Sequence, residues 1–444
     1  MTQENVLLTR PLPGLFFRYV TPAMAAMVLD GIQGIVDGIF IGNYVGADAM
    51  AAVNIANPYY QIIIGSSMVI CTGTMSAAGR ALGAGKEQKA KDIYHSALLV
   101  LAVISLLLMS AGLLCSRPIA VLLGASPALL EDSSSYIRTL GLFVPAISFK
   151  ILFGFSGRLI GRPQLYLAGT VTTISANMIL DYAAVGVLGL GTAGAAGATG
   201  LAYLAGLTVV IRPLLLKETV LNVRGGRFRP REMLYAAFNG SSEGVTYAAA
   251  ALTVFLLNRS FMAAAGERGV AAFTIISYVG NFVTLLMFGM SDGISPILSN
   301  NYGAGKWDRI RKTLRAALIF NFLLGGVLFA VFWLWGRSLI SLFLDSGSDG
   351  EVIAMAAAGA RIYGLCFLAN GFNIVQSGYY TALGDAVRSI VIAAGRGIVF
   401  VALGLALFPG IFGLNGVWFS LPFGEFATAA VCWGMYGRKR RRPR

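Results

Sequence analysis

Long apolar runs recur along this 444-residue sequence, and they constrain its fold more than any other feature. Each run has about 20 residues or more, the length that an α-helix needs to cross the hydrocarbon core of a bilayer. Charged residues make up 12% of the chain, which is about half of their share in an average soluble protein. Because backbone polar groups find no water inside a bilayer, such runs predict membrane-spanning helices. The sequence therefore predicts an all-α integral membrane protein with twelve spans, near residues 14–41, 54–81, 93–115, 133–156, 164–185, 194–216, 234–258, 270–298, 313–335, 352–380, 388–408 and 412–436.

Lysine and arginine cluster in alternate predicted loops, which orients the spans. The second loop carries Arg80, Lys86 and Lys89, and the sixth is basic from Lys217 to Arg231, whereas the odd-numbered loops GNYVGADAM and PGIFGLN carry no basic residue. Because basic loops stay on the cytoplasmic side, we expect both termini in the cytoplasm and the chain in the plasma (inner) membrane. This topology and contact with anionic lipid account for the net charge of +14, so nucleic-acid binding is not expected.

The second half of the sequence repeats the first. GAGKEQKAKDIYHSAL from Gly83 corresponds to GAGKWDRIRKTLRAAL from Gly303, and RLIGRPQ around Gly161 corresponds to TALGDAV around Gly384, at nearly the same spacing. Each half holds an even number of spans, so the halves share one orientation, which predicts two six-helix lobes related by a parallel pseudo-two-fold repeat. The expected organisation is an N-terminal lobe (1–216), a basic cytoplasmic linker (217–233) and a C-terminal lobe with a basic tail (234–444).

Several stretches resemble the MATE (multidrug and toxic compound extrusion) transporters. They are VDGIFIGNYVGADAMAAVNIANP, the two GAGK loops and NMILDYAAVGVLGLGTAGAAGAT, and the resemblance covers essentially the whole chain. Its most specific part is the fifth helix, where an Asn and an Asp four residues apart precede a glycine-rich start of the sixth. The resemblance implies twelve helices in two lobes and the efflux of drugs or metabolites driven by Na⁺ or H⁺. We expect a monomer that carries a small-molecule substrate and has no cofactor beyond the coupling ion.

Two predicted membrane helices each carry three polar residues on one face. They are Asp30, Gln33 and Asp37 on the first helix, and Thr173, Asn177 and Asp181 on the fifth. A carboxylate at the bilayer centre costs about 2.5 to 3.5 kcal/mol, so acids there usually serve a function. Carboxylate, amide and hydroxyl oxygens are ligands for a hard cation, but the carboxylates could equally carry protons, or the groups could only tie helices together. By resemblance, Asp37, Asn177 and Asp181 match the cation site of the family's N-terminal lobe, and Thr173 shares a helix face with the latter two. Asp30 and Gln33 could instead lie in a central cavity or at a secondary cation site.

The second half does not repeat this site. Leu257 and Gly404 stand at the positions that the repeat makes equivalent to Asp37 and Asp181. Other acids lie in its predicted helices, namely Glu243, Asp292 and Glu425. Glu243 and Asp292 could form a second cation site or attract a cationic substrate. Glu425 is a weaker candidate, because a salt bridge or a packing role would explain it equally well.

One basic residue and several aromatic residues are candidates for contact with a substrate. Lys150 lies well inside a predicted helix, where it could neutralise a cavity carboxylate or bind an anionic part of the substrate, or it could extend its charged end to the membrane surface. Aromatic rings can stack on flat substrates and organic cations. The weaker candidates of this kind are Tyr59, Tyr278 and Tyr379.

Together with these features, the resemblance implies a cation-coupled antiporter that exports drugs, organic cations or secondary metabolites by alternating access through a central cavity between two lobes. The alternative is a lipid-linked oligosaccharide flippase of the same superfamily. A flippase cavity should be more cationic, whereas here acids outnumber Lys150. An enzyme is not expected, because the single histidine begins a helix at the membrane surface and no nucleophile or metal constellation is visible. Na⁺ and H⁺ both fit as the coupling ion.

Overall fold

A computed structural model describes residues 5–216, 219–341 and 350–440, and nearly all of these residues are helical. Residues 217–218 of the predicted linker and 441–444 of the predicted basic tail lie outside these ranges. The helices are α1 (Val6–Thr9), α2 (Leu12–Tyr44), α3 (Ala47–Gly83), α4 (Glu87–Leu114), α5 (Ser116–Leu122), α6 (Leu130–Leu142), α7 (Val144–Leu159), α8 (Gln164–Asp181), α9 (Gly191–Ile211), α10 (Pro230–Gly303), α11 (Trp307–Ser341), α12 (Gly350–Gly364), α13 (Cys366–Leu383), α14 (Ala386–Ala394), α15 (Phe400–Leu407), α16 (Pro409–Phe412) and α17 (Leu414–Arg440).

The twelve predicted spans are all present within the described residues, which confirms the predicted fold class. In the described part of the chain, seven helical segments are long and apolar enough to cross a membrane, one of them formed by α14 to α16 (Ala386–Phe412). Two bent pairs, α6 with α7 and α12 with α13, raise the number to nine. Helix α10 accounts for both the seventh and the eighth span, because the non-helical backbone of Gly266 (φ 62°, ψ −152°) interrupts it. Helix α8, which a π-helical turn (Tyr182–Val187) extends, and helix α17 complete the set.

Glycines allow α8 and α9 to pack closely. A Cβ at Gly206 of α9 would collide with the hydroxyl of Thr173 on α8, and a Cβ at Gly169 of α8 would collide with Val210 on α9. Small residues let membrane helices approach in this way. The glycine-rich run of the sequence therefore serves a helix that must lie very close to its neighbour.

The chain divides into two compact units. The first comprises Met1–Gly240 and Ser299–Trp307, and the second comprises Ser241–Leu298 and Asp308–Arg444. The two ends of α10 therefore belong to the first unit. There, a Cβ at Gly73 of α3 would meet the backbone of Ala236, and a Cβ at Gly83 would meet the backbone of Asn300. These glycines are required because backbone lies directly against backbone.

The linker between the two halves is docked on the first unit. Asp92, near the start of α4, accepts hydrogen bonds from the backbone N–H of Arg227 (3.0 Å) and from Nε of Arg229 (3.1 Å). The backbone N–H of Arg229 donates to Ser96 (2.8 Å). Gly226 lies so close to α4 that a Cβ there would collide with the side chain of His95. The end of the linker is thus held in a fixed position against α4.

The core of the second unit is apolar and aromatic. Trp418 of α17 is 1% exposed, and its ring centroid lies 4.3 Å from that of Phe261 and 6.2 Å from that of Phe273, both on α10. A Cβ at Gly359 of α12 would collide with the same indole. Trp418 therefore joins three helices of this unit.

Candidate functional site

Two carboxylates and an amide meet in the first unit. Asp37 of α2 interacts electrostatically with Asp181 and with Asn177, which lie one turn apart at the end of α8. Asn177 is 0% exposed and Asp181 is 1% exposed. We call these three residues the first-half cluster. Helical periodicity predicts that Asn177 and Asp181 share one face, and the fold brings Asp37 to that face.

The polar atoms of the first-half cluster are short of partners. Within the described residues, Oδ1 of Asp37, both side-chain polar atoms of Asn177 and both carboxylate oxygens of Asp181 are buried and form no hydrogen bond of standard geometry. The three side chains interact with one another. Buried polar atoms are nearly always paired, and a buried charge without a partner is costly. Two adjacent carboxylates beside an amide oxygen can be satisfied by a proton or by a small cation, because both supply the missing positive charge. The donor set therefore fits a monovalent cation or a proton.

The backbone changes directly after Asp181. The π-helical turn Tyr182–Val187 begins at the next residue, and its wider hydrogen-bonding pattern includes the bond from Leu188 N to Ala183 O (2.9 Å). Single π-helical turns in α-helices are frequent at functional sites. Such a turn rotates the following residues relative to the helix before it. Asp181 is thus the last residue of the regular α-helix α8.

Thr173, the third polar residue of this helix face, contacts the neighbouring helix. Its hydroxyl donates to the carbonyl oxygen of Gly169 (2.9 Å) and lies against Gly206 of α9. It is 1% exposed. The structure thus gives Thr173 a packing role between α8 and α9. Gln33 of α2 is likewise buried, at 6% exposure.

Asp30 and Lys150 belong to a second polar group in the first unit. The two side chains interact electrostatically, and the hydroxyl of Tyr166 donates to Oδ2 of Asp30 (3.4 Å). Nζ of Lys150 donates to Thr170 (3.2 Å) and lies 5.6 Å from the ring centroid of Tyr166 and 5.3 Å from that of Tyr203. Lys150 is therefore a buried cation between aromatic faces, where it partly neutralises Asp30. We call Asp30, Lys150 and these tyrosines the lysine group.

Sequence reasoning missed several members of this region. Arg158 lies between the fourth and fifth predicted spans, but it is 2% exposed and its guanidinium carbon lies 4.4 Å from the ring centroid of Phe155 and 4.2 Å from that of Tyr166. Tyr203 and Tyr60 share a hydrogen bond of 2.7 Å between their hydroxyls. A tyrosine in an apolar helix carries no sequence signal that separates such a contact from an ordinary packing role.

The second unit contains a separate group of charged residues. Glu243 interacts electrostatically with Asp292, also on α10, and with Arg396. Arg396 lies in a π-helical turn (Gly395–Val399) between α14 and α15, and it forms an ion pair of 3.1 Å with Glu425 of α17. The salt bridge that the sequence left open for Glu425 is therefore present. Arg396 itself was not among the predicted site residues.

Asparagine side chains complete this ion pair. Nη2 of Arg396 donates to Oδ1 of Asn370 (3.0 Å), and Nδ2 of Asn373 donates to Oε2 of Glu425 (2.7 Å) and to its backbone carbonyl oxygen (2.8 Å). The arginine and glutamate side chains are only 13% and 9% exposed. We call Arg396, Glu425, Asn370 and Asn373 the arginine group. Both charges of the pair thus have further hydrogen bonds, as buried charges require.

The aromatic candidates have different surroundings. Tyr59 is 4% exposed, and its hydroxyl donates to the carbonyl oxygen of Leu108 (2.8 Å), so it joins α3 to α4. Tyr379 is 7% exposed and packs edge-on against Tyr380 with a centroid distance of 5.2 Å. Tyr278 is 62% exposed. The surroundings of Tyr59 and Tyr379 are thus those of packed side chains, whereas the Tyr278 ring is open.

Comparison with known proteins identifies the family. The sequence model of the MatE family matches residues 22–183 and 247–405, one segment in each half. The multidrug export protein MepA of Staphylococcus aureus (strain bovine RF122 / ET3-1) is 26% identical over 416 residues, which cover 92% of this chain and 90% of the relative. MepA of Staphylococcus saprophyticus is 25% identical over 417 residues, with 93% and 90% covered. A MATE transporter crystallised in complex with MaL6 has the same fold, with a TM-score of 0.92, 23% identity and 99% and 98% of the two chains covered. The chain therefore belongs to the MatE family of integral membrane transporters.

Proposed function

We propose that this protein exports small organic molecules, drugs among them, in exchange for Na⁺ or H⁺. The relatives named multidrug export protein support the substrate class, because the similarity extends over nine-tenths of both chains. Those names also favour drug export over the alternative of a lipid-linked oligosaccharide flippase. We further propose that the protein lies in the plasma membrane with both termini in the cytoplasm, as the alternation of basic loops indicates.

The first-half cluster is the observation that carries the coupling proposal. Asp37 and Asp181 lie side by side next to Asn177 in a buried setting, and within the described residues the oxygens named above form no hydrogen bond of standard geometry. A proton shared between the carboxylates, or a Na⁺ ion held by Asp37, Asn177 and Asp181, would remove their mutual repulsion. The repulsion between the two carboxylates in the absence of an ion can therefore drive a structural change.

Coupling follows if ion and substrate favour different states of the transporter. Binding can shift a conformational equilibrium only by its difference in affinity for the two states. In our proposal, the ion stabilises the arrangement of α2 in which Asp37 meets Asp181, and its release lets α2 repack. Substrate binding favours the other arrangement. Alternating access through a cavity between the two lobes then exchanges one for the other.

Two groups of side chains are proposed to meet the substrate. The lysine group offers aromatic faces and a carboxylate that Lys150 neutralises only in part, and these suit a flat organic molecule with a positive charge. Glu243 and Asp292 add negative charge on α10 and either attract such a cation or hold a second coupling ion. Tyr59, Tyr278 and Tyr379 are weaker candidates for substrate contacts, since Tyr59 and Tyr379 already pack against other side chains or helices.

The test is gradient-driven export from reconstituted liposomes that are loaded with a fluorescent organic cation. A Na⁺ gradient and a pH gradient are imposed separately on the wild-type protein and on a variant with Asp37→Asn and Asp181→Asn. We expect one of the gradients to drive export, and the variant to lose that response. The matched control is Asp48→Asn, an exposed acid at the start of α3, which should export as the wild type does.

Other outcomes contradict parts of the proposal. Export by the double variant that still follows the ion gradient would move the coupling site away from the first-half cluster. Export that neither gradient drives would contradict ion coupling itself. Loss of export in Asp48→Asn would show that removing any acid in this region impairs the protein, and the effect at Asp37 and Asp181 would then carry no information about coupling.

A further inference from the structure

The arginine group places a permanent positive charge inside the second unit. Nε and Nη2 of Arg396 lie 3.3 and 3.1 Å from Oε1 of Glu425, and the same Nη2 donates to Asn370. The guanidinium carbon lies 5.6 Å from the ring centroid of Phe288. Arginine stays charged under all ordinary conditions, and its planar fork suits a carboxylate. Glu425 is therefore neutralised by a cation that cannot leave.

The internal repeat shows what this cation corresponds to in the first half. At the spacing that relates Gly161 to Gly384, Arg396 is equivalent to Thr173, on the helix that carries Asn177 and Asp181. One helix of the repeat thus presents ligand oxygens in the first half and a guanidinium in the second.

The partners of this cation also differ between the halves. At the same spacing, Asn373, which donates to Glu425, is equivalent to Lys150. The second-half carboxylate comes from a different helix, α17, and it faces the guanidinium. The second half therefore pairs an arginine with an acid, whereas within the described residues no basic side chain acts on Asp37 and Asp181 of the first half.

We infer that the guanidinium of Arg396 is a tethered cation that takes the place of an exchangeable one in the second unit. Glu425 consequently releases and binds no coupling ion, and the transport cycle draws its ions from elsewhere. This inference rests on the proposed ion coupling only for its consequence in transport. The occupation of Glu425 by Arg396 is a property of the folded second unit.

Other titratable groups face the arginine group and must be kept apart from Glu425 in any measurement. Glu243 on α10 interacts with Arg396 and with Asp292. The side chains of Tyr363 on α12, Cys366 on α13 and Cys432 on α17 also interact electrostatically with Glu425. Variants of Glu425 itself are therefore needed to assign a signal to this carboxyl.

Infrared spectroscopy tests the occupation of Glu425 directly. Removing the guanidinium by Arg396→Gln leaves a buried carboxylate without its counter-charge, and such a group takes up a proton. We expect this variant to show the carbonyl stretching band of one additional protonated carboxyl group at neutral pH. The band should be missing in the wild type, in Arg396→Lys and in the double variant Arg396→Gln/Glu425→Gln. An Arg396→Gln spectrum identical to that of the wild type would overturn the inference, as would a band that persists when Glu425→Gln is added.

Reversal-potential measurements in liposomes test the consequence for transport. The number of coupling ions per substrate should be the same in the wild type and in Arg396→Gln/Glu425→Gln, because neither residue exchanges an ion. A double variant that transports with one ion fewer would overturn the inference. Arg396→Lys, which keeps the charge, serves the same comparison where the double variant does not fold, and a changed ion number in that variant would also overturn it.

The two proposals fail in different ways. If gradient-driven export survives Asp37→Asn with Asp181→Asn, the coupling site proposed in the first half is wrong, and the infrared result on Glu425 is unaffected. If the infrared result is negative, Arg396 is not the resident cation, whatever the variants of the first-half cluster do.

Discussion

Replacing Asp92 with alanine should release the linker from α4. The Asp92 carboxylate accepts hydrogen bonds from Arg227 N, from Arg229 Nε and from Gln88 Nε2, the last at 2.9 Å. Arg227 and Arg229 both belong to the linker, and the backbone N–H of Arg227 would lose its hydrogen-bond acceptor in the variant. Gln88 lies on α4 itself and can bond to water instead. The linker is thus fastened to Asp92 mainly through one backbone bond and one ion pair.

The loss can be estimated from these contacts. A hydrogen bond to a charged group contributes about 1.5 to 3 kcal/mol. The Arg229 side chain is 55% exposed, so its ion pair adds no more than about 1 kcal/mol. We therefore expect the free energy of opening the linker to fall by about 2 to 3 kcal/mol, which corresponds to about a 30- to 150-fold larger open population.

Limited proteolysis measures this population. Trypsin cuts after arginine, and cleavage between Arg224 and Arg231 separates the two halves of the chain into fragments that a gel resolves. When opening and closing are fast compared with cleavage, the cleavage rate follows the open population. The rate at the linker should therefore rise by the same factor in Asp92→Ala.

The matched control is Asp308→Ala. Asp308 also pairs with an arginine, Arg311, but at 4.0 Å and with side chains that are 91% and 74% exposed. Such a pair contributes little, so cleavage at the linker should be unchanged. Equal linker cleavage in wild type and Asp92→Ala would refute the reasoning, because the carboxylate would then not hold the linker.

Three further substitutions give separate tests. Trp418→Ala should lower the free energy of unfolding by about 3 to 5 kcal/mol, because it removes a fully buried indole from an aromatic core. Trp433 is 77% exposed, so Trp433→Ala should change the free energy of unfolding by less than about 0.5 kcal/mol. Equal shifts of the thermal midpoint in the two tryptophan variants would contradict the prediction. Gly83→Ala should lower the free energy of unfolding by about 1 to 3 kcal/mol, because the added Cβ meets a backbone carbonyl. In the same thermal melt, Gly14→Ala should be neutral or stabilising, because nothing lies within 4 Å of the added carbon. Lys150→Met should reduce export of a cationic dye at least tenfold, since it removes the positive charge that partly neutralises Asp30 in the lysine group. Lys150→Arg, which keeps that charge, should retain export. Unchanged dye export by Lys150→Met would rule out a role of Lys150 in the transport cycle.

The sequence alone determined the membrane architecture of this protein. Apolar runs of spanning length define twelve helices because a bilayer leaves no other way to satisfy the backbone. The nearly constant spacing between matching segments revealed the two halves, and the MatE family model matches one segment in each of them. Helical periodicity also placed Asn177 and Asp181 on a common face, because residues four apart lie one above the other.

The sequence could not show which polar residues pair across helices. Arg396 and Glu425 lie 29 residues apart on different helical segments. A basic residue near a helix end has the same sequence signature whether it reaches the membrane surface or an internal acid. For the same reason, the sequence did not show that the side chain of Arg158 is buried. Thr173 fits the predicted face by spacing, but its hydroxyl contacts α9.

Tertiary structure decided how each helix is rotated and how deep its polar residues lie. A soluble helix reveals its buried face through amphipathic periodicity, but a membrane helix is apolar all round, so its sequence does not fix that rotation. Contacts such as Asp37 with Asp181, Lys150 with Tyr203 and Arg396 with Glu425 follow from close packing at small residues. The sequence thus determined the number, order and repeat of the spans, and packing between them determined which charges meet.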